Sequence, residues 1–133
     1  MGGIGDVVRD IPMALANEGC HVQVVLPDYG HFAVMPNAEL RGQFQVQFAG
    51  KQEHVELYSL QSDSHKHEQV SYWALRHQRF SPCGDGSVYC NDDDSRPFAT
   101  DAAKYAFCCA AVAQVSVNGG FGDLDVIHLH DWH

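Results

Sequence analysis

Two short stretches of this 133-residue chain carry residue types that can do chemistry, and they lie at opposite ends. The first is MGGIGD, residues 1–6, three glycines and a carboxylate ahead of a helical apolar pattern. Without Cβ atoms, Gly2, Gly3 and Gly5 can turn sharply and bring backbone amides against a phosphate. A plain tight turn explains the same glycines. The spacing is neither Gly-x-Gly-x-x-Gly nor a Walker loop, since no Gly-Lys-Ser/Thr follows. The second stretch is HLHDWH, residues 128–133, where an apolar run gives way to polar side chains. On a strand His128 and His130 share one face, and Leu129 and Asp131 the other. A carboxylate at the carboxyl end of a strand can accept hydrogen bonds from sugar hydroxyls, and Trp132 can offer a sugar ring an apolar surface or simply pack. For any single histidine here, a satisfied structural residue is the blander reading.

A different chemistry also fits. His-x-His after an apolar strand is the first ligand pair of many metal-dependent hydrolases, and His133 would add a third nitrogen. The remaining ligands of such sites come from later strands that are absent here. A second His-x-His, His65 and His67 in SDSHKHEQ, lies in a polar stretch and reads as solvated.

The elements that must position these residues follow from periodicity. From Asp6, the residues Val7, Val8, Ile11 and Leu15 mark one helix face, with Asp6 as N-cap and Gly19 as the stop. Pro12 lacks the N–H that would bond back one turn, so a kink or a late helix start is expected. Val22 to Leu26 then reads as a buried strand closed by a Pro-Asp-Tyr-Gly turn, and helix-Gly-strand is half of a parallel α/β unit. QFQVQF alternates strictly, with Phe44, Val46 and Phe48 on one face. HVELYSL follows after a Gly-containing link, which predicts an antiparallel hairpin. VSYWAL is a further strand. Residues 76 to 98 show no period and predict a long, surface-exposed, mobile loop, either functional or a tolerated insertion. TDAAKYAFCCAAVAQVSV predicts a mostly buried helix capped by Thr100 or Asp101. LDVIHLHDWH predicts a short apolar strand ending in polar residues.

Composition bounds the function. The chain is one domain in length, with ordinary hydrophobic content. It carries 17 acidic against 8 basic side chains, a net charge of -9, which repels phosphate backbones and supplies no basic patch for nucleic acid. An anionic substrate would need a local exception, which helix amide dipoles can provide. No apolar run approaches a bilayer span, so no membrane partner is expected. The five cysteines have no Cys-x-x-Cys spacing, which predicts no structural disulfide and a reducing compartment.

Taken together, GGIGDVVRDIPMALANEGCHVQVVLPDYG and DVIHLHDWH resemble the starch/glycogen synthase family. The first segment is similar to that family's Lys-x-Gly-Gly-Leu-Gly-Asp turn, first helix and second strand, and the last to its Asp-Val-x-His-x-His-Asp-Trp-His motif. The match is firm over roughly the first thirty and last ten residues and thin between. The resemblance implies an α/β fold: a Rossmann-like N-terminal domain of a two-domain, GT-B type glycosyltransferase, truncated at both ends and carrying a β-hairpin insertion. On that reading residues 1–133 are a partial N-terminal catalytic domain. The family's first strand and turn lysine would precede Met1, and the rest of the enzyme would follow His133. A central first strand left out exposes strand edges, so marginal folding and self-association through those edges are expected.

The family's reaction, as the resemblance implies it, moves glucose from ADP-glucose (UDP-glucose in some members) to the non-reducing end of an α-1,4-glucan. Configuration is retained, with no metal and no cofactor beyond the nucleotide-sugar substrate. Gly2, Gly3 and Gly5 would line the diphosphate, and Asp6 would face the cleft. Asp131 would lie near the transferred glucose as the catalytic residue, with His130, Trp132 and His133 shaping the site. The stretch from Thr100 to Tyr105 departs from the family's Asp-Asn-x-x-Arg-Phe, which puts acceptor contacts there in doubt. The bacterial cytoplasm and the plastid stroma both suit such an enzyme. A fragment of this kind is expected not to turn over alone, because donor binding needs groups from both domains. A non-catalytic glucan-binding module is the alternative from a different class, with the metal-dependent hydrolase third.

Overall fold

Helix α1 (Gly3–Asn17) opens the described structure, a computed structural model that describes residues 3–61 and 69–130. Val8, Pro12 and Ala16 follow one another at helical spacing and form its inward stripe, with Met13 alongside. The helix therefore starts at Gly3 and runs on through Pro12, against the expected late start. The proline gives up one hydrogen bond, but its own ring lies on the buried stripe. Asp6 is accordingly not the N-cap. It sits in the first turn, where a carboxylate complements the positive end of the helix, and pairs with exposed Arg9 at 3.1 Å. Gly19, at a φ of 91°, ends the helical stretch as expected.

Four strands follow: β1 (Val22–Pro27), β2 (Ala38–Phe48), β3 (Lys51–Leu60) and β4 (Val70–Arg76). They form one sheet in the order β1-β4-β3-β2. β1 runs parallel to β4, with Val24 opposite Tyr72, while β4 with β3 and β3 with β2 are antiparallel. The predicted hairpin is β2–β3. Ala49 and Gly50 close it, both at positive φ, the backbone that matches the twist of the flanking strands.

Alternation places the two helices on opposite faces of the parallel pair. Val22, Val24 and Leu26 of β1, with Val70 and Tyr72 of β4, pack with the stripe of α1. Val25 of β1, with Trp73 and Leu75 of β4, belongs instead to the larger cluster under α2 (Ala99–Val117). That cluster joins Val46, Val55 and Leu57 of the hairpin to Phe107, Ala111 and Val115 of the helix. Phe44 and Phe48 pack beside them, as the alternation in QFQVQF predicts. Helix α2 buries one face only; Ala102, Ala103, Ala106 and Ala113 are exposed, so its apolar composition overstates its burial. Neither Thr100 nor Asp101 caps it. Phe98 holds the N-cap position without a side-chain capping hydrogen bond, and the Thr100 N–H donates to Asp92 at 2.8 Å. Just past the helix, Gly120 is pressed against its last turn: a Cβ there would lie 2.4 Å from Val115 and 2.8 Å from Phe44.

Two further expectations change, the absence of a disulfide and the strand at 124–130. The connection from β4 to α2 is anchored at several points. A 3-10 turn at Gln78–Phe80 inserts Phe80 into the core, 5.4 Å from the Phe107 ring. Cys83 and Cys90 are joined by a disulfide, with Cα atoms 5.8 Å apart, which overturns the expected absence of one; the chain reversal at Gly84 and Gly86 brings them together. The run 124–130 is not a strand. Its Val126 and Leu129 are 79 % and 76 % exposed. A strand needs a neighbour for its backbone N–H and C=O groups, and among the described strands none pairs with this run. Its apolar alternation asks for a partner that the described fold does not supply.

Candidate functional site

Parallel pairing brings the carboxyl ends of β1 and β4 to the same side of the sheet, the side where open α/β folds bind ligands. Helix α1 turns back through Gly19 into β1, so its Gly3 end faces that side too. Helix α2 is entered from the end of β4 and starts there. The start of α1, the loop after β1, the loop after β4 and the start of α2 thus lie toward one side of the sheet.

Asp28, the residue after β1, organises the first loop. It is buried, and its Oδ1 accepts the N–H groups of Gly30, His31 and Phe32 at 2.8–2.9 Å, while Oδ2 accepts that of Ala33 at 3.0 Å. Both oxygens accept backbone N–H groups, so Asp28 shapes the rim. The Pro-Asp-Tyr-Gly turn was legible, but not this fourfold use of its aspartate.

His77, the residue after β4, is equally committed. Its Nδ1 accepts the Arg79 N–H at 3.1 Å, and its Nε2 faces Glu53 at 3.3 Å, which defines a neutral ring donating through Nε2. Burial, above all, pushes its pKa below the ordinary histidine value, and the Arg79 charge adds to that. Hydrogen bonding from the Arg79 guanidinium, 2.8 Å away, holds Glu53 below the usual carboxylate range. A cleft of about 490 Å³ opens between these loops and the hairpin. Its less committed groups are His54, Gln78, Asp85 and Arg76, whose guanidinium is half exposed and 4.0 Å from Glu56.

At the first turn of α2, Asp101 and Lys104 form a buried ion pair at 2.8 Å. Asp101 also accepts the Cys90 N–H at 3.2 Å, and the Lys104 ammonium donates to the Val88 carbonyl while lying 4.7 Å from the Tyr105 ring centre. The Tyr105 hydroxyl pKa is raised, chiefly by burial. None of these roles was read from sequence, which offered Asp101 only as a cap.

The site residues expected from sequence fall as follows. Gly3, Gly5 and Asp6 lie in the first turn of α1, and among the described residues nothing from outside the helix start lies within 4 Å of where a Cβ on Gly3 would be. His130 ends the described chain, its ring 4.4 Å from that of His128, so the two imidazoles do share a side. Gly2, Asp131, Trp132 and His133 lie outside the described residues, as do His65 and His67. Among the described residues no hydrogen bond or ion pair joins the glycine turn to His130. Nor is any group of three or more His, Cys, Asp or Glu placed there to hold a metal ion. No helix among the described residues is long and apolar enough to cross a membrane.

A four-stranded sheet with one helix packed on each face is a mixed α/β domain. The family model described as the starch synthase catalytic domain matches residues 1–133, and the chain belongs to that family. Among its relatives, the glycogen synthase of Exiguobacterium sibiricum is 30% identical over 98% of this chain and 25% of its own length. That of Bacillus licheniformis is 31% identical over 99% of the chain and 25% of its length, and that of Gloeobacter violaceus 28% over 100% and 25%. The chain thus spans about a quarter of the curated relatives it matches.

Proposed function

We propose that this chain is the N-terminal part of the catalytic domain of a glucosyltransferase of the GT-B type, with the β2–β3 hairpin as an insertion into its Rossmann-like unit. The reaction is transfer of glucose from ADP-glucose, or UDP-glucose, to the non-reducing end of an α-1,4-glucan with retention of configuration. The donor is a substrate, and no metal or cofactor takes part. The carrying observation is the start of α1 toward the carboxyl side of the sheet: Gly3 opens a helix, and among the described residues no neighbour from outside the helix start lies within 4 Å of where its Cβ would be. In a chain of net charge -9, first-turn amides are a source of positive potential that costs no lysine.

In this reading Gly2, Gly3 and Gly5 offer their amides to the diphosphate, and Asp6 faces the same cleft. Asp131 lies by the transferred glucose, and His130, Trp132 and His133 shape its surroundings. The route to the rim is long enough. Gln23 of β1 holds the carbonyl of Phe121 at 2.8 Å, near the amino end of the strand. Nine further residues reach His130, on the order of 30 Å when extended, more than the length of β1. The nucleotide sugar as donor puts the enzyme in the bacterial cytoplasm or the plastid stroma. The edge of β1, unpaired among the described residues, and the exposed run 124–129 provide for self-association of the separate chain.

The test combines turnover with glucan binding. Incubated with ADP-glucose or UDP-glucose and glycogen, the 133-residue chain should elongate nothing, and it should be retarded in glycogen-containing gels. Asp131→Ala should abolish that retardation. Elongation by the chain alone would contradict its being incomplete. Retardation that survives Asp131→Ala would favour the non-catalytic glucan-binding alternative.

A further inference from the structure

We propose that the Cys83–Cys90 disulfide is a thiol–disulfide exchange site, and that its reduction by a dithiol releases the 83–90 loop from the loop after β1. The two loops are interlocked at two glycines. A Cβ on Gly30 would lie 2.4 Å from Asp85 Oδ1, and one on Gly86 would lie 2.5 Å from His31 Nε2, so each loop lays a side chain across the other's bare backbone. The Gly86 N–H donates to the Tyr29 carbonyl at 2.6 Å across the same joint. At its far end the loop is tied to α2, where Val88 accepts from Lys104 and the Cys90 N–H donates to Asp101.

The disulfide adds a covalent constraint across these contacts. Gly84 and Gly86 both adopt positive φ, a backbone that many alternatives compete with in an open chain. Closing the loop covalently removes those alternatives. Gly30 and Asp85 both line the 490 Å³ cleft, so the state of the disulfide decides whether that wall is held in place.

The burial of the two cysteines sets the order of events. Cys83 is exposed and Cys90 buried, so an incoming thiolate attacks the Cys83 sulfur. A mixed disulfide forms, the Cys83–Cys90 bond breaks, and Cys90 leaves as a thiolate that takes up a proton. The second thiol of the reductant then attacks the mixed disulfide. Cys83 is released as a thiol and the reductant leaves as its own disulfide, having given two electrons. Of the free cysteines, Cys108 is buried in the core with its pKa pushed up to about 12 by desolvation, so it does not compete as a thiolate.

The experiment needs no activity and so stands apart from the glucosyltransferase reading. Hydrogen exchange is measured on the full chain purified under air, before and after excess dithiothreitol, with thiol counting by alkylation and mass. The air-purified chain should show three free thiols after denaturation and the reduced chain five. On reduction the Gly86 and Cys90 amides should exchange faster by on the order of tenfold, while the β2–β3 hairpin keeps its protection. The Cys83→Ser, Cys90→Ser double variant should match the reduced chain without reductant. Five free thiols under air would overturn the proposal. So would reduction that leaves Gly86 and Cys90 as protected as before, or reduction that deprotects the hairpin equally, since the disulfide would then be a general staple. If the double variant fails to fold, the comparison of oxidised and reduced wild type decides alone.

Discussion

Asp101 and Lys104 lie one helical turn apart with their charged groups at 2.8 Å and their side chains 2 % and 1 % exposed. The pair is a junction for the whole rim. Through Cys90 and Val88 it fixes the loop after β4 to α2, and the Lys104 ammonium also sits 5.5 Å from the ring centre of Tyr29 in the loop after β1. Removing one partner leaves the other charged and unpaired in the interior. Lys104→Met should therefore destabilise the fold by about 3–5 kcal/mol, and Asp101→Asn by a similar amount. Chemical denaturation of the single and double variants checks this. The double variant should cost less than the sum of the singles, because no stranded charge remains.

Asp28→Ala removes the acceptor for four backbone N–H groups at once. The expected loss is at least about 2 kcal/mol, since each buried donor left without a partner carries its own desolvation cost. Asp28→Asn keeps one oxygen, enough for the three bonds now made by Oδ1, and should lose less. Thermal melts of the two variants side by side give the ordering.

Acid should weaken the protein in two separable stages. Burial depresses the pKa of His77 in the folded state, so between that value and about 6.5 the unfolded chain binds the extra proton and stability falls as pH falls. Above about 6.5 this contribution is fully present. Protonating Nδ1 would also break its bond from the Arg79 N–H. Glu53, likewise depressed, adds a second loss only in the carboxylate range, below about 4.3. Melting temperatures across this range should decline in both stages, and His77→Gln should remove the first while leaving the second.

Gly120→Ala should be costly although the residue sits outside regular structure. The new methyl would meet Val115 at 2.4 Å and Phe44 at 2.8 Å, and both side chains belong to the packed layer under α2. A penalty of about 1–3 kcal/mol is expected for overpacking of this kind. Gly50→Ala is the contrasting case. Space there is open, and only the positive φ of 73° opposes the change, so a smaller loss is expected in the same denaturation assay.

What sequence revealed of this fold depended on whether the signal was local. The alternation of Phe44, Val46 and Phe48 identified the hairpin and its buried face, and helix-Gly-strand identified α1 and β1. VSYWAL predicted β4, though its parallel pairing with β1 needed the tertiary structure. The failures share a cause. DVIHLH alternates like a strand, but strandness requires a neighbouring edge that no local pattern announces. Cys83 and Cys90 meet only because two glycines reverse the chain between them. Asp101 was read only as a possible cap, and only the fold reveals that it pairs with Lys104 under the 77–90 connection. At the rim, the glycine turn was legible as a helix entrance. The burial of Asp28 and the neutral, hydrogen-bonded state of His77 were not, because both follow from loops closing over them.

The central claim is that the start of α1 and the stretch from His130 to His133 serve one nucleotide-sugar cleft. Backbone NMR of the 133-residue chain, titrated with ADP-glucose and separately with UDP-glucose, tests it most directly. The method reads even weak binding amide by amide. The amides of Gly3, Gly5 and Asp6 should shift together with those of His130 and Asp131, along one binding curve, and Asp131→Ala should shift that curve to higher donor concentration. Shifts at the glycine turn that leave Asp131 untouched, or no shift at either end, would contradict it.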